Sequence, residues 1–167
     1  MEKHELVDQN GNKTGKILTN EEIKDIKNVP EGHYVSVVGV VIINENNEVL
    51  LQKRSKYKKI NPSKWGICGG KVNLGENLVD ACVRETLEEI GIQLRKDELK
   101  LLSNSISGKG YFTIYYTRRN VDIKKCKIQE KELDEVKYFK IDELENLDHE
   151  GFEWLESLFI KIHKNTL

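Results

Sequence analysis

The chain has 167 residues, of which 38% are hydrophobic and 33% charged, with a formal net charge of -1. That length fits one domain able to bury its own core. The balanced charge argues against a nucleic-acid polymer or a membrane surface as partner. The longest apolar run, 35–43, is too short to span a bilayer.

The start, Met1-Glu2-Lys3-His4-Glu5, is polar and does not read as a leader segment. Residues 1–33 read as a hairpin and a short helix belonging to the same domain as residues 34–167. Asn10-Gly11 between Glu5-Leu6-Val7 and Lys16-Ile17-Leu18 signals a tight turn. Thr19 can cap a helix over 20–26, which Pro30-Glu31-Gly32 would end. The valine- and isoleucine-rich stretch 34–43 has the composition of a buried central strand. A turn at 44–47 leads to a second strand over 48–52, followed by the basic residues Lys53, Arg54, Lys56, Lys58 and Lys59. A short strand near Trp65 then opens into a Gly-rich loop, Gly69-Gly70-Lys71-Val72-Asn73-Leu74-Gly75-Glu76.

The clearest helix is 78–90, with Asn77 as its cap and Gly91 as its terminator. Further strands are predicted near 100–102, 111–117 and 136–139, a short helix at 142–147 and a terminal helix at 152–163. On a wheel of about 100° per residue, Val79, Val83, Thr86 and Ile90 form an apolar face. Glu85, Glu88 and Glu89 fall roughly opposite and are expected to point together into a cleft. Three such carboxylates repel one another unless a cation joins them. Oxygen ligands suit magnesium or manganese. An acidic helix face alone is more often simply solvated, but a Gly-rich loop running directly into this one allows close approach to a phosphate or metal.

Cys68, Cys82 and Cys126 match no zinc spacing and are odd in number. Free thiols in a reducing, cytoplasmic setting are expected.

The segment from Gly70 to Ile92 resembles the Nudix box: a glycine, five residues, a glutamate, seven residues, Arg-Glu, an aliphatic, any residue, Glu-Glu, any residue, a glycine and an aliphatic. Gly70, Glu76, Arg84, Glu85, Glu88, Glu89, Gly91 and Ile92 match, and Thr86 departs from the pattern at the first aliphatic position. Beyond the box, Glu5-Leu6-Val7-Asp8, Gly15-Lys16, Pro30-Glu31-Gly32, Leu50-Leu51-Gln52-Lys53-Arg54-Ser55, Trp65, Gln129 and Glu132 look like the Nudix branch related to isopentenyl-diphosphate isomerase. This wider likeness covers most of residues 5–145.

The resemblance implies an α/β fold, an α/β/α sandwich around a mixed sheet with the box as loop-helix-loop. It implies a metal-dependent hydrolase of a phosphoanhydride bond in a small-molecule, X-linked diphosphate, with Mg2+ or Mn2+ as cofactor. Glu85, Glu88, Glu89, Glu132 and the Gly69 carbonyl would hold the metal. Arg84 would fix Glu85, while Gly70, Glu76 and Gly91 shape the box. Glu130 is second choice for the late carboxylate. The resemblance implies that the base taking the proton from water would be Glu85 or Glu132. Arg54, Lys53, Gly70 and Lys71 are candidates for substrate contact. Many relatives are dimers, and residues 1–30 could mediate pairing.

Two alternatives stand beside this one. Cys68 lies roughly where the isomerase carries its catalytic cysteine. Against that reading, His4, His33, His149 and His163 have no cluster spacing, and the box is intact. A non-catalytic sensor of a diphosphate ligand would usually have lost box glutamates.

Overall fold

The computed structural model describes residues 1–149. Strands β1 (Lys3–Val7) and β2 (Lys13–Thr19) form the expected antiparallel hairpin. Its turn is closed by Asp8, whose Oδ1 accepts from the Asn10 and Asn12 amides at 2.8 and 2.9 Å. Thr19 caps helix α1 (Asn20–Ile23) in a capping box with Glu22. This helix stops short of the predicted residue 26. Asp25 accepts from the Lys27 amide and caps a separate 3-10 turn at Ile26–Asn28 instead. Such a local side-chain bond competes with helix propagation.

The chain continues through β3 (Tyr34–Ile43), β4 (Val49–Arg54), β5 (Trp65–Gly66), β6 (Cys68–Lys71), helix α2 (Leu78–Ile90), β7 (Lys100–Ser107), β8 (Gly110–Arg118) and β9 (Leu133–Phe139). The strands make one mixed sheet centred on β3. Parallel β8 runs along one edge of β3 for its whole length. The other edge is shared in turn by β1, β6 and β4, all antiparallel. Strands β5 and β9 extend the sheet from β4, and β7 from β8. This division of one edge brings the hairpin, the box loop and the basic segment after β4 side by side.

Alternation along β3 builds two cores. Val38, Val40 and Ile42 pack with Ala81, Cys82 and Ile90 beneath α2. Val41 and Ile43 pack on the opposite face with Trp65, Ile114, Tyr116 and Phe139. There the 3-10 turn Ile141–Asn146 replaces the predicted short helix, and Leu144 closes the cluster. The predicted terminal helix at 152–163 lies outside the described residues.

Helix α2 begins and ends where the sequence places it. The Asn77 side chain accepts from the Asp80 amide, and Gly91 ends the helix at φ 72°, its amide donating to Leu87. Its packed face is rotated from the one read off the wheel. Ala81, Cys82, Thr86 and Ile90 are buried, whereas Val79 and Val83 are only partly so. Small side chains at 81 and 82 let the backbone come close to the sheet. Buried Thr86 Oγ1 donates to the Cys82 carbonyl at 2.9 Å, so its hydroxyl is satisfied. Glu85 and Glu89 therefore flank the packed face rather than oppose it.

Strand β7 runs well past the predicted 100–102. It is polar and mostly exposed, and it pairs only with β8 among the described strands. No helix among the described residues is long and apolar enough to cross a membrane.

Candidate active site

The loop from β6 into α2 is organised around Arg84. Its Nε and Nη2 donate to the two oxygens of Glu76 at 2.8 and 2.9 Å, and Nη1 donates to Glu85 Oε1 at 2.7 Å. Nη2 also reaches the Lys71 carbonyl at 3.0 Å. Burial would lift the Glu76 carboxyl, but the Arg84 hydrogen bonds, the Asn73 amide and the guanidinium charge hold it below the usual glutamate range. Arg84 is in turn held more firmly protonated, chiefly by its bond to Glu76. One planar cation thus ties helix, loop entry and strand end together, as a forked donor can.

Glu85 lies against Gly70. A Cβ at position 70 would run into the Glu85 carboxylate, so glycine leaves this side chain room where it stands. Burial raises the Glu85 pKa above the usual range despite Arg84, with Glu88 and Glu76 adding to the rise. One turn on, Glu89 Oε2 accepts from Gln52 Nε2 at 2.8 Å and from the Gly69 amide at 3.0 Å. Burial outweighs these bonds and pushes Glu89 up to about 7. The negative charge of Glu85 also raises Glu89, and Arg54 lowers it.

The three glutamates do not converge as the wheel suggests. Glu88 is half exposed and leans back to Arg84 Nη1 at 3.3 Å. Among the described residues, no three His, Cys, Asp or Glu side chains form a cluster arranged to hold a metal ion. The donors nevertheless fit a hard dication. Glu85, Glu88 and Glu89 offer only oxygen, and the Gly69 carbonyl is of the same kind. Glu85 and Glu89 are two desolvated carboxylates whose mutual repulsion a cation would relieve.

The remaining candidates divide by strand alternation. Gln52 and Arg54 lie on the α2 face of β4, whereas Lys53 lies on the other, 5.7 Å from the Trp65 ring. Lys53 therefore does not join the Glu89 side of the sheet. The Lys71 side chain also points elsewhere, with Nζ donating to Asn20 Oδ1 at 2.9 Å; its contribution is the carbonyl that Arg84 holds. Glu132 is ion-paired with Lys58, and no described hydrogen bond or ion pair joins it to Glu85 or Glu89. Trp65 is a core residue, edge-on to Phe139 with ring centroids 4.7 Å apart. Cys68 is buried, and Sγ donates to Gln52 Oε1 at 3.3 Å. Its thiol is pushed up by burial and then by Glu89. Cys68, Cys82 and Cys126 are free.

Gln52 is the site residue that the sequence reading passed over. A signal existed: it is the polar member of Val49-Leu50-Leu51-Gln52 and stands two residues before Arg54, so both share a face.

The NUDIX domain model matches residues 33–158. An uncharacterized Nudix hydrolase of Listeria monocytogenes is 28% identical over 152 residues, covering 90% of this chain and 87% of the relative. A putative 8-oxo-dGTP diphosphatase of Bacillus subtilis is 34% identical over 45% of this chain and 56% of its own length. An RNA pyrophosphohydrolase of Ruthia magnifica is 41% identical over 35% of this chain and 30% of its own. Among solved structures, DR0079 from Deinococcus radiodurans superposes with a TM-score of 0.71 at 20% identity, over 96% of this chain and 98% of that one. With the box residues in place around Arg84 and the domain match spanning most of the chain, the protein belongs to the Nudix hydrolase family.

Proposed function

We propose that this protein hydrolyses a phosphoanhydride bond in a small-molecule diphosphate linked to another group, by attack of water on phosphorus, with magnesium or manganese as cofactor. One observation carries the reading. Glu85 and Glu89 lie on the same edge of α2, each fixed by its own donor, against the Gly69-Gly70 backbone. The names of the Bacillus and Ruthia relatives, a diphosphatase and a pyrophosphohydrolase, support this class of bond.

Glu85, Glu88, Glu89 and the Gly69 carbonyl would hold the cation, which when bound neutralises phosphate charge and makes water more acidic. Arg84 engages only Oε1 of Glu85 among the described hydrogen bonds, leaving Oε2 to take a proton from the attacking water. Glu132, tied to Lys58, is the less supported base. Gln52 and the Gly69 amide fix Glu89 before substrate arrives. Such preorganisation lowers the barrier because little needs to move as charge develops. Arg54, whose Nε is oriented by the Ile60 carbonyl at 3.2 Å, supplies positive charge beside Glu89 for a phosphate oxygen.

The test is a panel of nucleotide, dinucleotide, sugar-nucleotide and prenyl diphosphates with magnesium or manganese in 18O-labelled water. Wild type is expected to cleave at least one compound and to place the label on phosphorus. Glu85→Gln is expected to be at least about 100-fold slower. Unlabelled phosphorus in every product, or equal rates for both proteins, would overturn the proposal.

A further inference from the structure

The geometry points to His4 as a positioning residue for the active-site loop, acting through the Val72 carbonyl. This inference rests on the hydrolase reading for its kinetic part only.

His4 stands in β1, far from the box in sequence, and is 2% exposed. Its Nδ1 lies 2.8 Å from the Val72 carbonyl oxygen. A carbonyl only accepts, so Nδ1 carries the hydrogen. Among the described residues the buried Nε2 has no hydrogen-bond partner. Among the described residues the side chain is therefore held by a single directional bond, and that bond ends on the box loop.

The position of Val72 gives the bond its leverage. Its amide donates to the Ser36 carbonyl at 3.0 Å, the last rung joining this segment to β3. Beyond it β1 takes over, with the Leu74 amide donating to the Lys3 carbonyl at 2.7 Å. His4 spans the handover from one strand to the other. The two neighbours of Val72 each make a contact with the Arg84–Glu76 network. The Lys71 carbonyl accepts from Arg84 at 3.0 Å, and the Asn73 amide donates to Glu76 Oε2 at 3.0 Å. Arg84 in turn holds Glu85 at 2.7 Å. The path from His4 to Glu85 is thus a chain of hydrogen bonds on near-rigid backbone. Losing the first link leaves a buried carbonyl unpaired, and the loop shifts to find water. The hairpin at the start of the chain is in this way a brace for the active site.

The test compares His4→Asn, His4→Gln and His4→Ala. The asparagine amide nitrogen sits the same number of bonds from Cβ as Nδ1, while that of glutamine lies one bond farther out. Hydrogen exchange of the Asn73 and Leu74 amides reports the loop whether or not a substrate is known. It is expected to be near wild type in His4→Asn and faster by about tenfold or more in the other two. On any diphosphate that turns over, kcat is expected to fall by about tenfold or more in His4→Gln and His4→Ala, with KM within about threefold and rescue in His4→Asn. Should no compound turn over, the hydrolase reading fails while the exchange result still decides the role of His4. Protection in His4→Gln equal to wild type, or equal losses in His4→Asn and His4→Ala, would overturn it.

Discussion

Arg84 grips Glu76 with two donors, Nε to Oε1 at 2.8 Å and Nη2 to Oε2 at 2.9 Å, and its remaining nitrogen, Nη1, serves Glu85 and, at 3.3 Å, Glu88. A lysine at 84 keeps the charge but is a single point donor, unable to serve both carboxylates and the Lys71 carbonyl. Arg84→Lys is expected to lose roughly 2–3 kcal/mol of transition-state stabilisation, the scale of one charge-assisted bond, or about 30- to 160-fold in kcat/KM. Steady-state kinetics on the best substrate of the panel, beside urea unfolding, checks this. Full activity with lysine would show that the fork is not required.

Glu89 gives a pH signature that needs no substrate. Its folded pKa, about 7, lies above the ordinary value of 4.5. A folded state that holds the proton more tightly than the unfolded chain is favoured at low pH. That advantage fades as pH rises from about 4.5 through about 7, by up to about 3 kcal/mol. Glu89→Gln has no such proton to release and keeps both donors, from Gln52 and Gly69. Wild type should therefore match the variant near pH 5 and fall below it by pH 8 in urea titrations. Magnesium at millimolar level should narrow the gap at pH 8 by stabilising the ionised wild type. A gap independent of pH would remove burial of this carboxylate as its cause.

Arg54 and Lys53 are adjacent basic residues on opposite faces of β4, which makes them a matched pair. Arg54→Ala is expected to raise KM by about tenfold, the loss of one charged contact to phosphate. Lys53→Ala removes a cation–π contact with Trp65 and should leave kcat and KM within about twofold, while lowering stability by about 1 kcal/mol. Similar KM effects from both substitutions would contradict the facing assigned to the strand.

These pairs show how far the sequence could be read. The box was legible because its spacing is local: Asn77 caps, Gly91 ends, and Glu76 and Arg84 stand where one loop and two turns bring them together. The facing of α2 was harder, since hydropathy favours Val79 and Val83 over Ala81 and Cys82. Close packing on a sheet rewards small side chains, and that preference turned Glu85 and Glu89 toward the strands. Lys53 was grouped with Arg54 by charge, although period two separates them. His4 and Gln52 reach the box across 68 and 37 residues, respectively, and no local pattern encodes such approaches.

Gln52 offers the sharpest check on that long-range part. Its Nε2 bond stabilises the ionised form of Glu89, so its loss should raise the Glu89 pKa beyond about 7. Gln52→Leu fits the strand and leaves the Gly69 amide as Glu89's hydrogen-bond donor. If Glu89 works ionised, the acid limb of the kcat/KM profile must move to higher pH. The plateau at high pH should be largely retained, because deprotonation then restores the charge. A uniform drop with an unmoved limb would mean that Gln52 positions substrate or strand rather than tuning Glu89. An unchanged profile would mean that Glu89 is not the group whose ionisation limits the reaction.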